Sequence, residues 1–249
     1  MAGVQRGRVV VVTGGASGIG RACVEHFLEL DATVASIDLR TAGDSAVLEC
    51  EADLTDQAQV DAALQRIVAE LGGVDVLVNN AGVSYVGGIE DGSEDDWFRL
   101  WNVNLMGYVR AIRAALPHLR RSAAPSVVNV SSTTATSGFR QRALYSATKG
   151  AIEAMTRSVA ADLVAEGIPV NAVNPGTVDT PFMAELAAQA EDPVARRADF
   201  DARQPTGRMV SPREVALAVA YAAHPENRSM IGATLMVDGG IFPLHITRA

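Results

Sequence analysis

Tyr145 and Lys149 stand four residues apart in Tyr-Ser-Ala-Thr-Lys, at the start of a strongly helical stretch. That spacing puts both side chains on one helix face. A free phenol titrates at about 10, too high for a base at neutral pH. A nearby ammonium stabilises the phenolate and lowers that value. Tyr145 is therefore a candidate to take a proton from an alcohol or return it to a ketone, with Lys149 as its electrostatic support. Ser132 lies thirteen residues before Tyr145, just past an apolar run, where its hydroxyl would steady the substrate oxygen. Ser131 competes for that role, because alternation along a strand lets only one of the two face the site. Asn104 sits inside a helical stretch, where asparagine is a poor former. It is expected either to hold a water that relays protons to Lys149 or to be a satisfied core amide.

A second group of residues suits a dinucleotide. Thr13-Gly14-Gly15-Ala16-Ser17-Gly18-Ile19-Gly20 joins an apolar run to a helix. Glycines there let the backbone turn tightly and approach a pyrophosphate, while the helix N-terminus offers free N–H groups. Gly14, Ser17, Gly18, Ile19 and Gly20 are the expected cradle. Asp38 lies 20 residues beyond Gly18. A carboxylate there accepts from both ribose hydroxyls and repels a 2′-phosphate, which favours NAD over NADP. Arg40 is the nearby basic residue that keeps NADP in view. Asp53 would accept from the adenine amino group, with Leu54 packing beside the ring. Lys149 would also reach the nicotinamide ribose, and an oxidised nicotinamide would favour the Tyr145 anion further.

The elements that must position these residues alternate. Short apolar runs at 9–13, 33–38, 46–52, 74–79, 126–131, 170–174 and 234–237 read as strands. Helical periodicity marks 20–30, 56–71, 94–119 and 144–165. A further helix, 211–223, opens on Ser211 as N-cap, Pro212 at the first position and Glu214 at the third. Such alternation means an α/β fold, a parallel sheet with helices on both faces. Residues 180–207 are charged and fit no strand. They directly follow the sixth strand, so they are placed to cover the carboxyl end of the sheet as a substrate lid. The plainer alternative is an exposed helical excursion.

The 249 residues suit one well-buried domain. The net charge of −8 argues against nucleic acid and anionic membranes as partners. No run approaches the roughly 20 apolar residues of a membrane span. Cys23 and Cys50 carry no paired spacing, and the four histidines have no metal-ligand spacing, so no metal is expected. Reduced cysteines and the lack of a signal-like start make the expected location cytoplasmic.

Thr13-Gly14-x3-Gly18-Ile19-Gly20, Asn79-Asn80-Ala81-Gly82, Asn104, Ser132, Tyr145-x3-Lys149, Asn174-Pro175-Gly176 and Val237-Asp238-Gly239-Gly240 run in order over nearly the whole chain. Together they resemble the short-chain dehydrogenase/reductase family. The resemblance implies a single-domain Rossmann fold over 1–249 with a seven-stranded sheet. It implies hydride transfer between NAD and a secondary alcohol or ketone, by a Ser132, Tyr145 and Lys149 triad with Asn104. Asn80, Ala81 and Gly82 would pack beside the coenzyme, and Pro175, Gly176, Val178 and Thr180 would line the nicotinamide amide. Homotetramers are usual, with the C-terminal region in one interface.

A narrower likeness lies in Pro175-Gly176-Thr177-Val178-Asp179-Thr180-Pro181 and Arg203-Gln204-x-Thr-Gly207-Arg208. These resemble enzymes of the cytosolic 3-hydroxybutyrate and 2-keto-3-deoxy sugar-acid type, in which arginines hold a substrate carboxylate. Arg142 and Arg203 are the matching positions, and a third arginine of the hydroxybutyrate type falls at Leu186. An arginine fork pairs bidentately with a carboxylate. The expected substrate is a small hydroxy acid or sugar acid. A neutral polyol, sugar, steroid or acyl-thioester ketone is the alternative, and a non-catalytic dinucleotide-binding protein the remaining one.

Overall fold

Four consecutive valines explain how one strand serves two cores. Side chains alternate across a strand. In the computed structural model, which describes residues 5–242 and 244, Val9 and Val11 enter one apolar cluster and Val10 and Val12 another. In chain order the first half holds β1 (Val9–Thr13), α1 (Gly18–Glu29), β2 (Thr33–Asp38), β3 (Leu48–Glu51), α2 (Gln57–Leu71) and β4 (Val76–Asn79). Then come α3 (Glu94–Trp101), a π-helical turn (Asn102–Met106), α4 (Gly107–Leu119), β5 (Ser126–Val130), α5 (Ala143–Leu163) and β6 (Val170–Pro175). The last elements are α6 (Pro181–Ala188), α7 (Pro193–Ala202), α8 (Pro212–Ala222) and β7 (Thr234–Val237).

The seven strands form one sheet of order β3-β2-β1-β4-β5-β6-β7, and every pairing is parallel. Residues of α1 and α8 fill one core, and those of α2, α4 and α5 the other. The strand order reverses between β1 and β4, so a crevice opens at the carboxyl ends of these two strands. The Gly14 turn and Asn80 meet there.

Three expected elements differ. The run 94–119 is not one helix. The π turn interrupts it, with the Gly107 amide bonding to the Asn102 carbonyl. The extra residue in that turn swings Asn104 inward to full burial. The third strand is shorter than 46–52, because Val47 closes a turn onto the Asp44 carbonyl and Leu48 begins the pairing. Residues 180–207 hold α6 and α7, around a small apolar cluster of Ala187, Phe200 and Met209. Leu186 packs against that cluster. Ser211 and Glu214 form the expected capping box, with Pro212 in the first turn.

Among the described residues, no helix is long and apolar enough to cross a membrane. Nor does any group of three His, Cys, Asp or Glu side chains among them suit a metal ion. Cys23 and Cys50 are both free and buried. Residues 245–249 of the C-terminal region lie outside the described residues.

Candidate active site

A cavity of about 1050 Å³ runs along the carboxyl ends of the strands. One end is lined by Asp38, Leu39, Asp53 and Leu54, the middle by Gly14, Ser17, Gly18 and Ile19, and the far end by Ser132, Tyr145, Lys149, Arg142 and Arg203. Asn80, Ala81, Gly82, Gly176, Val178 and Thr180 also line it. The sequence signals thus fall into one continuous space.

The glycine turn fits a pyrophosphate. Gly18 has φ +55°, a left-handed conformation natural to glycine, and its side toward the cavity meets only Thr180, at 3.4 Å. Ser17 caps α1 without a side-chain bond to the helix, and the first turn holds no acidic residue. The helix N–H groups and partial positive charge are therefore open to an anion. Gly20 acts differently from its neighbours. It does not line the cavity, and a Cβ there would lie 2.0 Å from the Gly14 carbonyl oxygen. Close packing, not ligand contact, is its reason.

Asp38 ends β2, and one carboxylate oxygen accepts from the Ala16 amide at 3.0 Å. Asp38 is thereby fastened to the glycine turn. Asp53 accepts from the Thr55 amide at 2.8 Å. The Asn80 side chain donates to the Thr13 carbonyl at 3.1 Å, and Thr13 Oγ1 accepts from the Asn80 and Ala81 amides. Pro175 is buried as the last residue of β6 and does not line the cavity. Its neighbours Gly176, Val178 and Thr180 do, and Thr180 also caps α6 by accepting from the Met183 amide at 3.4 Å.

The two serines both line the cavity and differ in their partners. Ser131 Oγ donates to the Lys149 carbonyl at 2.8 Å and is buried. Ser132 sits beside the Tyr145 phenol, and its Oγ accepts from the Thr134 amide at 3.2 Å. Lys149 Nζ lies 5.8 Å from the Tyr145 ring centroid and donates to the Val130 carbonyl at 2.9 Å. Tyr108 donates to the same carbonyl at 3.0 Å, a partner that sequence spacing does not reveal.

Burial dominates the electrostatics of the pair. Burial drives Lys149 down to about 7, so near neutrality much of it is uncharged. Burial likewise raises Tyr145 above its ordinary value; the Arg142 guanidinium pulls it back most, and the Ser132 hydroxyl next. Asn104 has its side chain satisfied within the protein. It lies off the cavity wall, its Oδ1 accepting from the Val83 amide at 2.8 Å and its Nδ2 donating to the Val83 carbonyl and to Thr148. That is the core-amide alternative, and Thr148, inside the Tyr145-to-Lys149 motif, is the partner missed.

Arg142 and Arg203 reach the cavity from opposite elements, the start of α5 and the end of α7. Among the described residues neither has a carboxylate within 4.0 Å, whereas Arg197 is paired bidentately with Asp179. Arg203 stacks 4.7 Å from the Phe200 ring centroid, and Arg196 lies at 4.8 Å from it. Arg203 is lowered by burial and then by Arg142 and Arg196. Arg142 and Arg203 thus line the cavity with Arg196 close behind, a field that favours an anion.

Comparisons with known proteins agree with this geometry. A family profile described as enoyl-(acyl carrier protein) reductase matches residues 14–242. The chain is 39% identical to L-fucose dehydrogenase of Mus musculus, over 96% of this chain and 91% of that one. It is also 39% identical to cis-4-hydroxycyclohexanecarboxylate dehydrogenase of Sinomonas cyclohexanicum, over 94% and 96% of the two chains. The ligand-free aldohexose dehydrogenase of Thermoplasma acidophilum superposes with a TM-score of 0.93 at 35% identity, covering both chains completely. The chain is an oxidoreductase and belongs to the short-chain dehydrogenase/reductase family.

Proposed function

We propose that the protein is an NAD-dependent dehydrogenase of a small hydroxy acid or sugar acid, with Tyr145 as its proton-transfer group. The observation that carries this reading is the convergence of Ser132, Tyr145 and two arginines without carboxylate partners at one end of a dinucleotide-sized cavity. A nicotinamide coenzyme bound there supplies the acceptor or donor of the hydride. The residues of the chain do the rest. Ser132 Oγ donates to the substrate oxygen and holds its developing charge. Tyr145 Oη takes the alcohol proton in oxidation and returns it in reduction. Lys149 has donor capacity beyond its bond to Val130, and offers it to the nicotinamide ribose. Arg142 and Arg203 grip the carboxylate, and α6 and α7 shield it from water as a lid.

The relatives divide on the substrate. One is named for a hydroxylated carboxylate, others for fucose and aldohexoses, which are neutral sugars. The arginine end of the cavity favours the acid. The test is a panel of hydroxy acids, sugar acids and neutral sugars with NAD, read as NADH absorbance, followed by the best acid against its amide. The acid is expected to outrun its amide, and Arg203→Ala to lower kcat/KM on the acid by about 10- to 100-fold, the worth of a charged hydrogen-bonding pair. Equal rates on acid and amide would move the assignment to neutral sugars.

Asp38 supports NAD. Its carboxylate lines the cavity beside the glycine turn and would repel a 2′-phosphate, and Arg40 is the nearby basic residue in sequence. Asp38→Ala is expected to narrow the NAD over NADP preference by about tenfold or more, the scale of one unit charge beside a phosphate. An unchanged ratio of kcat/KM values for the two coenzymes would place ribose recognition elsewhere.

A further inference from the structure

We propose that Ser84 is a positioning residue for substrate recognition: its hydroxyl, on the loop after β4, holds the Arg142 guanidinium so that the open Nε–Nη2 edge meets a carboxylate substrate. The inference rests on Arg142 gripping that carboxylate, and it adds the residue that aims the grip.

The contacts are direct. Arg142 Nη1 donates to Ser84 Oγ at 3.2 Å and to the Tyr85 carbonyl at 3.0 Å. Among the described residues no hydrogen bond uses its Nε or Nη2. Those two nitrogens carry the parallel N–H groups of a side-on fork, which pairs bidentately with a carboxylate. Ser84 and Arg142 both line the cavity. Ser84 is thus placed to fix the direction of the fork without occupying it. Arg203 is held differently. It stacks 4.7 Å from the Phe200 ring centroid, and its side chain makes no hydrogen bond among the described residues. A guanidinium held by a ring face alone can slide, so the register of the carboxylate falls to Arg142.

The loop that carries Ser84 is braced on both sides of this contact. The Gly87 amide bonds to the Gln141 carbonyl at 2.9 Å, and Gly87 pairs with Arg142 as an isolated parallel bridge. Gln141 is held at φ +57°, a left-handed conformation that residues with a side chain rarely adopt. The Tyr85 ring packs over the turn, and a Cβ at Gly87 would lie 2.5 Å from its Cε1. Asp91 closes the turn, accepting from the Gly88 amide at 2.7 Å. The backbone at each end of the Ser84–Arg142 bond is therefore fixed, and the serine hydroxyl is the one side-chain group that holds the guanidinium among the described residues.

The test compares the best acid of the panel with its amide. Ser84→Ala is expected to lower the ratio of kcat/KM for acid over amide by about 10-fold, the lower end for a hydrogen bond to a charged group, since the Tyr85 carbonyl remains. The loss should lie in KM for the acid rather than in kcat, because the grip weakens equally in the ground and transition states. Ser84→Thr keeps the hydroxyl and should hold the ratio near native. Ser84→Val has the shape of threonine without its hydroxyl and should lose as Ser84→Ala does. NADH binding, followed by fluorescence, shows that each variant is folded. A native ratio in folded Ser84→Ala, or equal losses in Ser84→Thr and Ser84→Val, overturns the proposal. An unchanged ratio in Arg142→Met overturns instead the carboxylate reading on which it rests.

Discussion

Tyr145→Phe is expected to bind NADH as tightly as the native enzyme and to lose about 100- to 10,000-fold in kcat, the usual contribution of a positioned acid–base group. Phenylalanine keeps the ring, its packing and its place 5.8 Å from Lys149 Nζ. Only the hydroxyl is lost. The neighbours cannot replace it: Ser131 Oγ is occupied by the Lys149 carbonyl, and Tyr108 is fully buried against the Val130 carbonyl. Fluorescence titration of NADH and steady-state rates on the preferred substrate check both halves. A near-native rate would give the proton to Ser132.

Lys149→Met carries the second large effect, and it points two ways. Turnover is expected to fall about 100-fold or more, because the coenzyme ribose loses its amine donor. The coenzyme-free chain is expected to gain about 1 to 2 kcal/mol of stability, a rise of several degrees in Tm. The sign follows from the lowered value of about 7 for the native amine. Unfolded lysine titrates at about 10.4. Below 7 both states are protonated and the native chain bears the full cost of a buried ammonium. Between 7 and about 10.4 the unfolded state binds more protons, so that cost is relieved as pH rises. The advantage of methionine should be largest at pH 6 and shrink toward pH 10. Thermal denaturation across that range decides it: a gain that does not change with pH would trace to packing rather than charge.

Much of this was legible in the residues because the physics is local. Val9 to Val12 announce a strand buried on both faces, and the glycines that follow mark a turn onto a helix N-terminus. Tyr145 and Lys149 share a face because of helical spacing alone. What was hidden depends on distant partners. The π turn at Asn102–Met106 carries no proline, and the partners it gives Asn104, Val83 and Thr148, are distant in sequence. The near-neutral state of Lys149 comes from burial, which the motif does not display. The helices of residues 180–207 did leave signals, Thr180 before Pro181 and Asp192 before Pro193, each an N-cap followed by proline. The charges around them obscured the pattern.

The two helices after β6 gather their apolar side chains around Phe200, apart from the clusters that hold the sheet. Gln204 rivets their far end to the scaffold, accepting from the Thr177 amide at 3.1 Å and donating to the Phe200 and Arg208 carbonyls. A cassette with its own nucleus is free to diverge. Drift there rewrites which molecule is chosen, while the machinery beneath it stays in tune.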